Sequence, residues 1–223
     1  MNRRVVVWRH GRTAWNLAGR VQGQSDIALD EVGRQQAKDA AARLASLGPD
    51  RIISSDLQRA FHTARELEAV SGVLVEQDPR FRELNFGARE GLTWKEAWAQ
   101  MPEAMQAWID GDEHLVPDSE THRQAGDRFA AALTDVLGDL HAGQTLVVVA
   151  HGAVIRTGVC AFLGIPEAQW KMFGGLANCH WAVLEEWRHG DHSAWRLTEW
   201  NTGTLPEPVL SDDDTASPEA ELT

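Results

Sequence analysis

"VVVWRHGRTAWN" runs from Val5 to Asn16, and its reading decides the fold. Four apolar residues come first, then Arg9, His10 and Gly11, then a polar turn. A short apolar run with no polar alternation reads as a strand buried on both faces, as in a parallel sheet. The same arrangement returns at "TLVVVAHGAVIR", where Thr145–Ala150 is the clearest strand in the chain, His151 and Gly152 follow it, and a helical pattern begins.

Between and around these strands the pattern alternates. Asp30 is a plausible N-cap, and Val32, Gln36, Ala40, Leu44 and Leu47 mark a helical face that stops at Gly48-Pro49. "RIISS" (51–55) reads as a second strand. A helix follows with Leu57, Ala60, Phe61, Ala64 and Leu67 on one face, ended by Gly72. "VLVEQ" (73–77) is a weaker strand. Residues 92–140 read as helical pieces, broken near Met101-Pro102 and again through "GDEHLVPD" (111–118). "HWAVLEEW" and "AWRLTEW" read as a late hairpin. Strands alternating with helices predict an α/β three-layer sandwich: a mostly parallel central sheet, helices on both faces, and a helical insertion near the site that serves as a cap.

One domain over 1–202 accounts for this pattern in a chain of 223 residues, 43% of them hydrophobic. Residues 203–223 read as an acidic, disordered tail. Six acids and no Lys or Arg lie in 202–223, half of the net charge of −12. That sign argues against nucleic acid as a partner. No apolar run approaches 18 residues and no signal-peptide core follows Arg3 and Arg4, so the expectation is a cytoplasmic protein that does not enter a membrane. A homodimer is the oligomer left open. Cys160 and Cys179 read as buried thiols rather than a disulfide or metal pair. Of ten tryptophans, Trp8, Trp181, Trp195 and Trp200 fall in strand-like stretches and read as core. Trp94, Trp98 and Trp108 sit in the helical block, as core or as the lining of a pocket.

In open α/β sheets, ligands bind outside the carboxyl ends of the strands. After the first strand come Arg9, His10, Gly11 and Arg12. After the second come Ser54, Ser55 and, one turn into the helix, Arg59. After "TLVVVA" come His151 and Gly152. Arginine suits bidentate contact with phosphate oxygens, and helix N-termini add N–H donors. Taken singly, each of these residues has a structural reading, a hydrogen-bonding histidine or a solvated arginine. Together they predict a site for a small phosphate ester.

These residues carry a resemblance. "RHGRTAWN" resembles the signature of the histidine phosphatase superfamily, which includes the cofactor-dependent phosphoglycerate mutases. "VQGQSDIALDEVGRQQA", "SSDLQRAFHTA", "FRELNFGAREG" and "VVVAHGAVIR" resemble four further blocks of that family, in its order. The resemblance implies His10 as the nucleophile that takes the phosphoryl group. It implies Arg9, Arg59 and His151 around the phosphate, with Asn16 and Gly152 beside them, and Glu83 as general acid and then base, in surroundings that favour the protonated carboxyl. Gln22, Gly23 and Arg12 fall in the blocks that meet the substrate. It implies neither a metal nor another cofactor, since arginines supply the positive charge. Without it, the plain reading of Glu83 is a surface ion pair with Arg80 or Arg82.

The chain departs from the family in one segment. Where the phosphatase branch has Gly-Glu-Ser, it has Ser119, Glu120 and Thr121, with Arg128 matching farther on. Thr13 after "RHGR" is phosphatase-like. The closing segments "GGLANCHWAVLE" and "WRLTEWN" resemble the actinobacterial glucosyl-3-phosphoglycerate phosphatases, which supplies a substrate lead. The resemblance therefore implies a metal-independent phosphatase acting through a phosphohistidine. A phosphoglycerate mutase is the alternative, and a phosphoprotein-binding module the reading from another class.

Overall fold

The computed structural model describes residues 2–189 and 192–204. The acidic tail beyond 204 and the middle of the 189–192 turn lie outside the described residues. One sheet of six strands organises the rest, in the order β3-β2-β4-β1-β5-β6. These are β1 (Arg4–Arg9), β2 (Arg51–Ser54), β3 (Val75–Gln77), β4 (Thr145–Ala150), β5 (Trp181–His189) and β6 (His192–Thr202). The first four run parallel, and β5 and β6 form the expected hairpin, antiparallel to β1.

Alternation along β1 explains its uninterrupted apolar run. Val5 and Val7 enter one core cluster, and Val6 and Trp8 enter the other. The first cluster is covered by α6 (His122–Gly138) and α7 (Gly152–Phe162), and the second by α2 (Glu31–Ala45) and α3 (Gln58–Ser71). A strand sandwiched this way has no solvent face to mark with polar residues. The insertion forms α4 (Trp94–Gln100) and α5 (Pro102–Asp110), preceded by the short α1 (Ala14–Leu17) near the chain start. The breaks at Met101 and at 111–118 fall where Pro102 and the polar segment place them.

Two helical faces differ from expectation. Asp30 does cap α2, its side chain accepting from the Gly33 N–H at 2.7 Å. Yet Val32 is exposed, and the buried stripe is Gly33, Ala37, Ala40, Ala41 and Leu44. On α3, Arg59 and Thr63 are buried while Phe61 is only half-buried. The loop after β1 accounts for both: the first turn of α2 docks on it, and Thr63 of α3 accepts from its Gly11 N–H. At Gly33 a Cβ would lie 2.0 Å from the Arg12 carbonyl oxygen, and at Gly11 one would lie 2.3 Å from the Gly33 oxygen. Backbone meets backbone there, and only glycine leaves the room.

Gly33→Ala should therefore destabilise the fold by about 1–3 kcal/mol or more, the usual effect of overpacking a close contact. Urea unfolding checks it, and a midpoint equal to the wild type's would refute the close approach.

Candidate active site

The parallel strands β1, β2 and β4 end together, and the polar residues after them converge. Arg9, Arg59 and His151 are fully buried, and His10 and Glu83 nearly so. Arg9, the last residue of β1, donates from Nη1 to the Leu176 carbonyl at 2.5 Å. Gly152 makes room for it, since a Cβ there would stand 3.3 Å from the Arg9 Cζ.

His10 is held from three sides. Its carbonyl accepts from Asn178 Nδ2 at 3.1 Å and from the Cys179 N–H. Its ring Nδ1 lies 2.7 Å from the Gly11 carbonyl oxygen. A carbonyl only accepts, so Nδ1 carries the hydrogen and Nε2 keeps its lone pair. Burial, with Arg59 and Arg9 nearby, holds the imidazole well below the usual histidine range. At neutral pH the ring is an uncharged base with one nitrogen available for attack.

Arg59 spans the site. It donates to the carbonyls of Gly23 (2.6 Å) and Ser25 (2.7 Å), and its Nε donates to His151 Nδ1 at 3.1 Å. That contact assigns the one ring hydrogen of His151 to Nε2, which donates to Ser55 Oγ at 2.9 Å. Burial, then Arg59, His10 and Arg9, hold His151 well below its ordinary pKa. The two imidazole centroids are 5.1 Å apart. Gly23, at φ +53°, passes where a Cβ would meet the Glu90 carboxylate, and Glu90 accepts from the Gln24 and Ser25 N–H groups. The loop that grips Arg59 is thus itself pinned.

Glu83 meets neither Arg80 nor Arg82. Arg82 pairs with Asp56 at 2.5 Å, and Arg80 with Asp78 and Asp135. The Glu83 carboxylate accepts instead from the N–H groups of Val154 (2.8 Å) and Ala153 (3.1 Å), at the start of α7. These N–H groups satisfy the buried carboxylate. Behind it, Arg128 donates to the carbonyls of Arg80 and Arg82 and pairs with Glu120 at 2.8 Å, while Glu120 accepts from the Asn85 N–H. The matched Glu120 and Arg128 thus brace the Glu83 segment. At the departures, Thr121 caps α6 and the Ser119 hydroxyl donates to the Val116 carbonyl.

The remaining expected residues divide. Asn16 joins the cluster, its Oδ1 accepting from the Thr13 N–H and from Asn178. Gln22 is buried and accepts from the Thr13 hydroxyl at 2.9 Å, and its Nε2 has no partner among the described residues. Arg12 turns to Asp30 at 2.8 Å and anchors the N-terminus of α2. Two contributors escaped the sequence reading. Thr63 accepts from the Gly11 N–H and donates to the Arg59 carbonyl, and Asn178 ties His10 to Asn16, while Ser55, noted at the second strand end, receives His151. Asn178 lay in a segment noted only for its resemblance, and nothing in its spacing marked it.

Among the described residues, no group of three or more His, Cys, Asp or Glu could hold a metal ion. The family described as "Histidine phosphatase superfamily (branch 1)" matches residues 5–203. Among similar proteins, the glucosyl-3-phosphoglycerate phosphatase of Mycobacterium tuberculosis is 37% identical over 210 residues, covering 89% of this chain and 94% of that one. The "Probable phosphoglycerate mutase GpmB" of Yersinia pestis is 33% identical, over 93% of this chain and 97% of that one. A mycobacterial glucosyl-3-phosphoglycerate phosphatase solved with VO3 superposes with a TM-score of 0.80 at 36% identity, covering 90% of this chain and 100% of that one.

The neutral histidines link the site to stability. The unfolded chain protonates His10 and His151 as pH falls through about 6.5, whereas the folded chain does so only at lower pH. The unfolded state then binds more protons, so stability is complete above that pH and falls as pH drops below it. Urea midpoints should decline from pH 7.5 to 5.5, and His151→Gln should flatten the decline. An unchanged slope in the variant would show that His151 is not held neutral.

Proposed function

Because the chain belongs to the histidine phosphatase superfamily, branch 1, we propose that it hydrolyses a small phosphate monoester through a phosphohistidine on His10. Phosphatase chemistry is the reaction named for the glucosyl-3-phosphoglycerate phosphatases it resembles, and the chain is a phosphoric monoester hydrolase of this kind. The observation that carries the nucleophile's identity is the Nδ1 bond of His10 to the Gly11 carbonyl, which leaves a neutral Nε2.

In this reading, Arg9 and Arg59 hold the phosphate oxygens, with Asn16 and the N–H of Gly152 beside them. The unpartnered Gln22 amide and the neighbouring Gly23 face the substrate. The charge of the two arginines offsets what develops on the equatorial oxygens as phosphorus moves between ester oxygen and nitrogen. Nε2 attacks in line, the P–O ester bond breaks, and Glu83 delivers a proton to the departing alkoxide. The incoming phosphate dianion is what makes that proton available, because a like charge favours the neutral carboxyl. Water then attacks the phosphohistidine, Glu83 takes its proton, and phosphate leaves with His10 regenerated. His151, its Nε2 hydrogen turning from Ser55 Oγ to a phosphate oxygen as phosphate binds, joins the arginines on the phosphate.

For the substrate, the reading follows the relatives: glucosyl-3-phosphoglycerate, with release of glucosylglycerate. The matches to phosphatases support hydrolysis over transfer to a second substrate oxygen. Among the described residues, no helix is long and apolar enough to cross a membrane, and we place the reaction in the cytoplasm.

Purified protein should release phosphate from glucosyl-3-phosphoglycerate faster than from 3-phosphoglycerate, phosphoserine or nucleotides. It should not isomerise 3-phosphoglycerate when 2,3-bisphosphoglycerate is supplied. Isomerisation without net phosphate release would reverse the assignment in favour of the mutase.

A further inference from the structure

A second feature of the crest is aromatic. A cavity of about 340 Å³ lies between the cap and α7, walled by Trp94, Trp108 and Trp170. That volume is within the usual range of small-molecule sites, about 300–1,000 Å³. Its walls are fixed. Trp170 donates from Nε1 to the Ile165 carbonyl at 2.9 Å and packs where Gly126 has no side chain. Trp94 and Trp108 stand edge to face, 5.9 Å between centroids. The Arg89 guanidinium lies 4.6 Å from the Trp108 ring centre, so the plane of Trp108 is set before anything binds.

The cavity adjoins the phosphate site through shared elements. Ala153 and Val154 of α7 hold the Glu83 carboxylate, and Arg156 and Thr157 of the same helix line the cavity. Val154 and Thr157 are separated by about 4.5 Å of helix rise. Trp94 opens α4 just after Gly91 and Thr93, which pair with Val21 and Arg20 immediately before Gln22 and Gly23. Cavity and phosphate site are thus both built on α7 and on the backbone pairing beside Gln22.

The polar groups around the tryptophans suit a particular alcohol. Glu167 offers a carboxylate acceptor for hydroxyl groups, Glu113 is held by the N–H and ring Nδ1 of His122, and Arg156 and Lys171 bring positive charge to the same rim. Flat aromatic faces with acceptors at their edge fit a ring that is apolar on its faces and hydroxylated around its perimeter. We propose that this cavity seats the sugar ring of a glycosylated phosphoglycerate. The ring lies against Trp108 and Trp94, its hydroxyls are met by Glu167, and the glycerate carboxylate lies toward Arg156 and Lys171. The assignment rests on the substrate reading above and adds to it the place where sugar is distinguished from no sugar.

The test is a ratio: kcat/KM for glucosyl-3-phosphoglycerate over kcat/KM for 3-phosphoglycerate, which shares the phosphate and carboxylate but lacks the sugar. In the wild type the ratio should be well above one. Trp108→Ala should lower it tenfold or more, mainly through KM for the glucosylated ester. Glu167→Ala, at an exposed position where folding is not at stake, should lower it at least threefold. General damage to the site would slow both substrates and leave the ratio alone. A wild type that prefers the glucosylated ester while both variants keep its ratio within twofold overturns the cavity assignment alone. If Trp108→Ala does not fold, an unchanged ratio in Glu167→Ala is enough to overturn it. A wild-type ratio near one overturns the substrate reading together with it.

Discussion

Two guanidinium groups, Arg9 and Arg59, are wholly buried at the ends of neighbouring elements, and the site is organised around that fact. A buried charge is costly unless it is hydrogen-bonded. Part of that compensation comes from main-chain carbonyls, those of Leu176, Gly23 and Ser25. Burial first, and the two arginines after it, hold both imidazoles well below the usual histidine range.

Several carboxylates of this region are engaged by other groups. Asp30 is occupied by Arg12, Asp56 by Arg82, and Glu120 by Arg128. Glu90 is spent on backbone N–H groups of the 23–25 loop, and Glu83 on the start of α7. Pairs that look like ordinary surface bridges thus sort the charges of the crest. A chain with an acidic sum can hold a strongly positive pocket because the local arrangement decides the field.

Much of this was legible in the sequence, for identifiable reasons. A strand buried on both faces has to be continuously apolar, so Val5–Trp8 and Leu146–Ala150 declared themselves and placed His10 and His151 at one crest. What escaped were contacts made through the backbone. The burial of Gly33 in place of Val32 follows from a helix turn lying on a loop, and side-chain periodicity carries no record of that. Asn178 and Thr63 matter because they hold a carbonyl and an N–H of the His10 loop, and neither function imposes a spacing. Glu83 was found through its block, but its partner was not. The sequence suggested neighbouring arginines, and the structure supplied the N-terminus of a helix seventy residues away.

Everything said about chemistry here depends on His10 carrying the phosphoryl group. Rapid mixing of the enzyme with a 32P-labelled phosphate ester, quenched in base, should trap label on protein within the first turnover. That label should survive alkali, be lost in acid, map to the peptide holding His10, and be absent in His10→Ala. Label on any other residue, or turnover in His10→Ala comparable to the wild type with no adduct in either, would contradict the phosphohistidine mechanism.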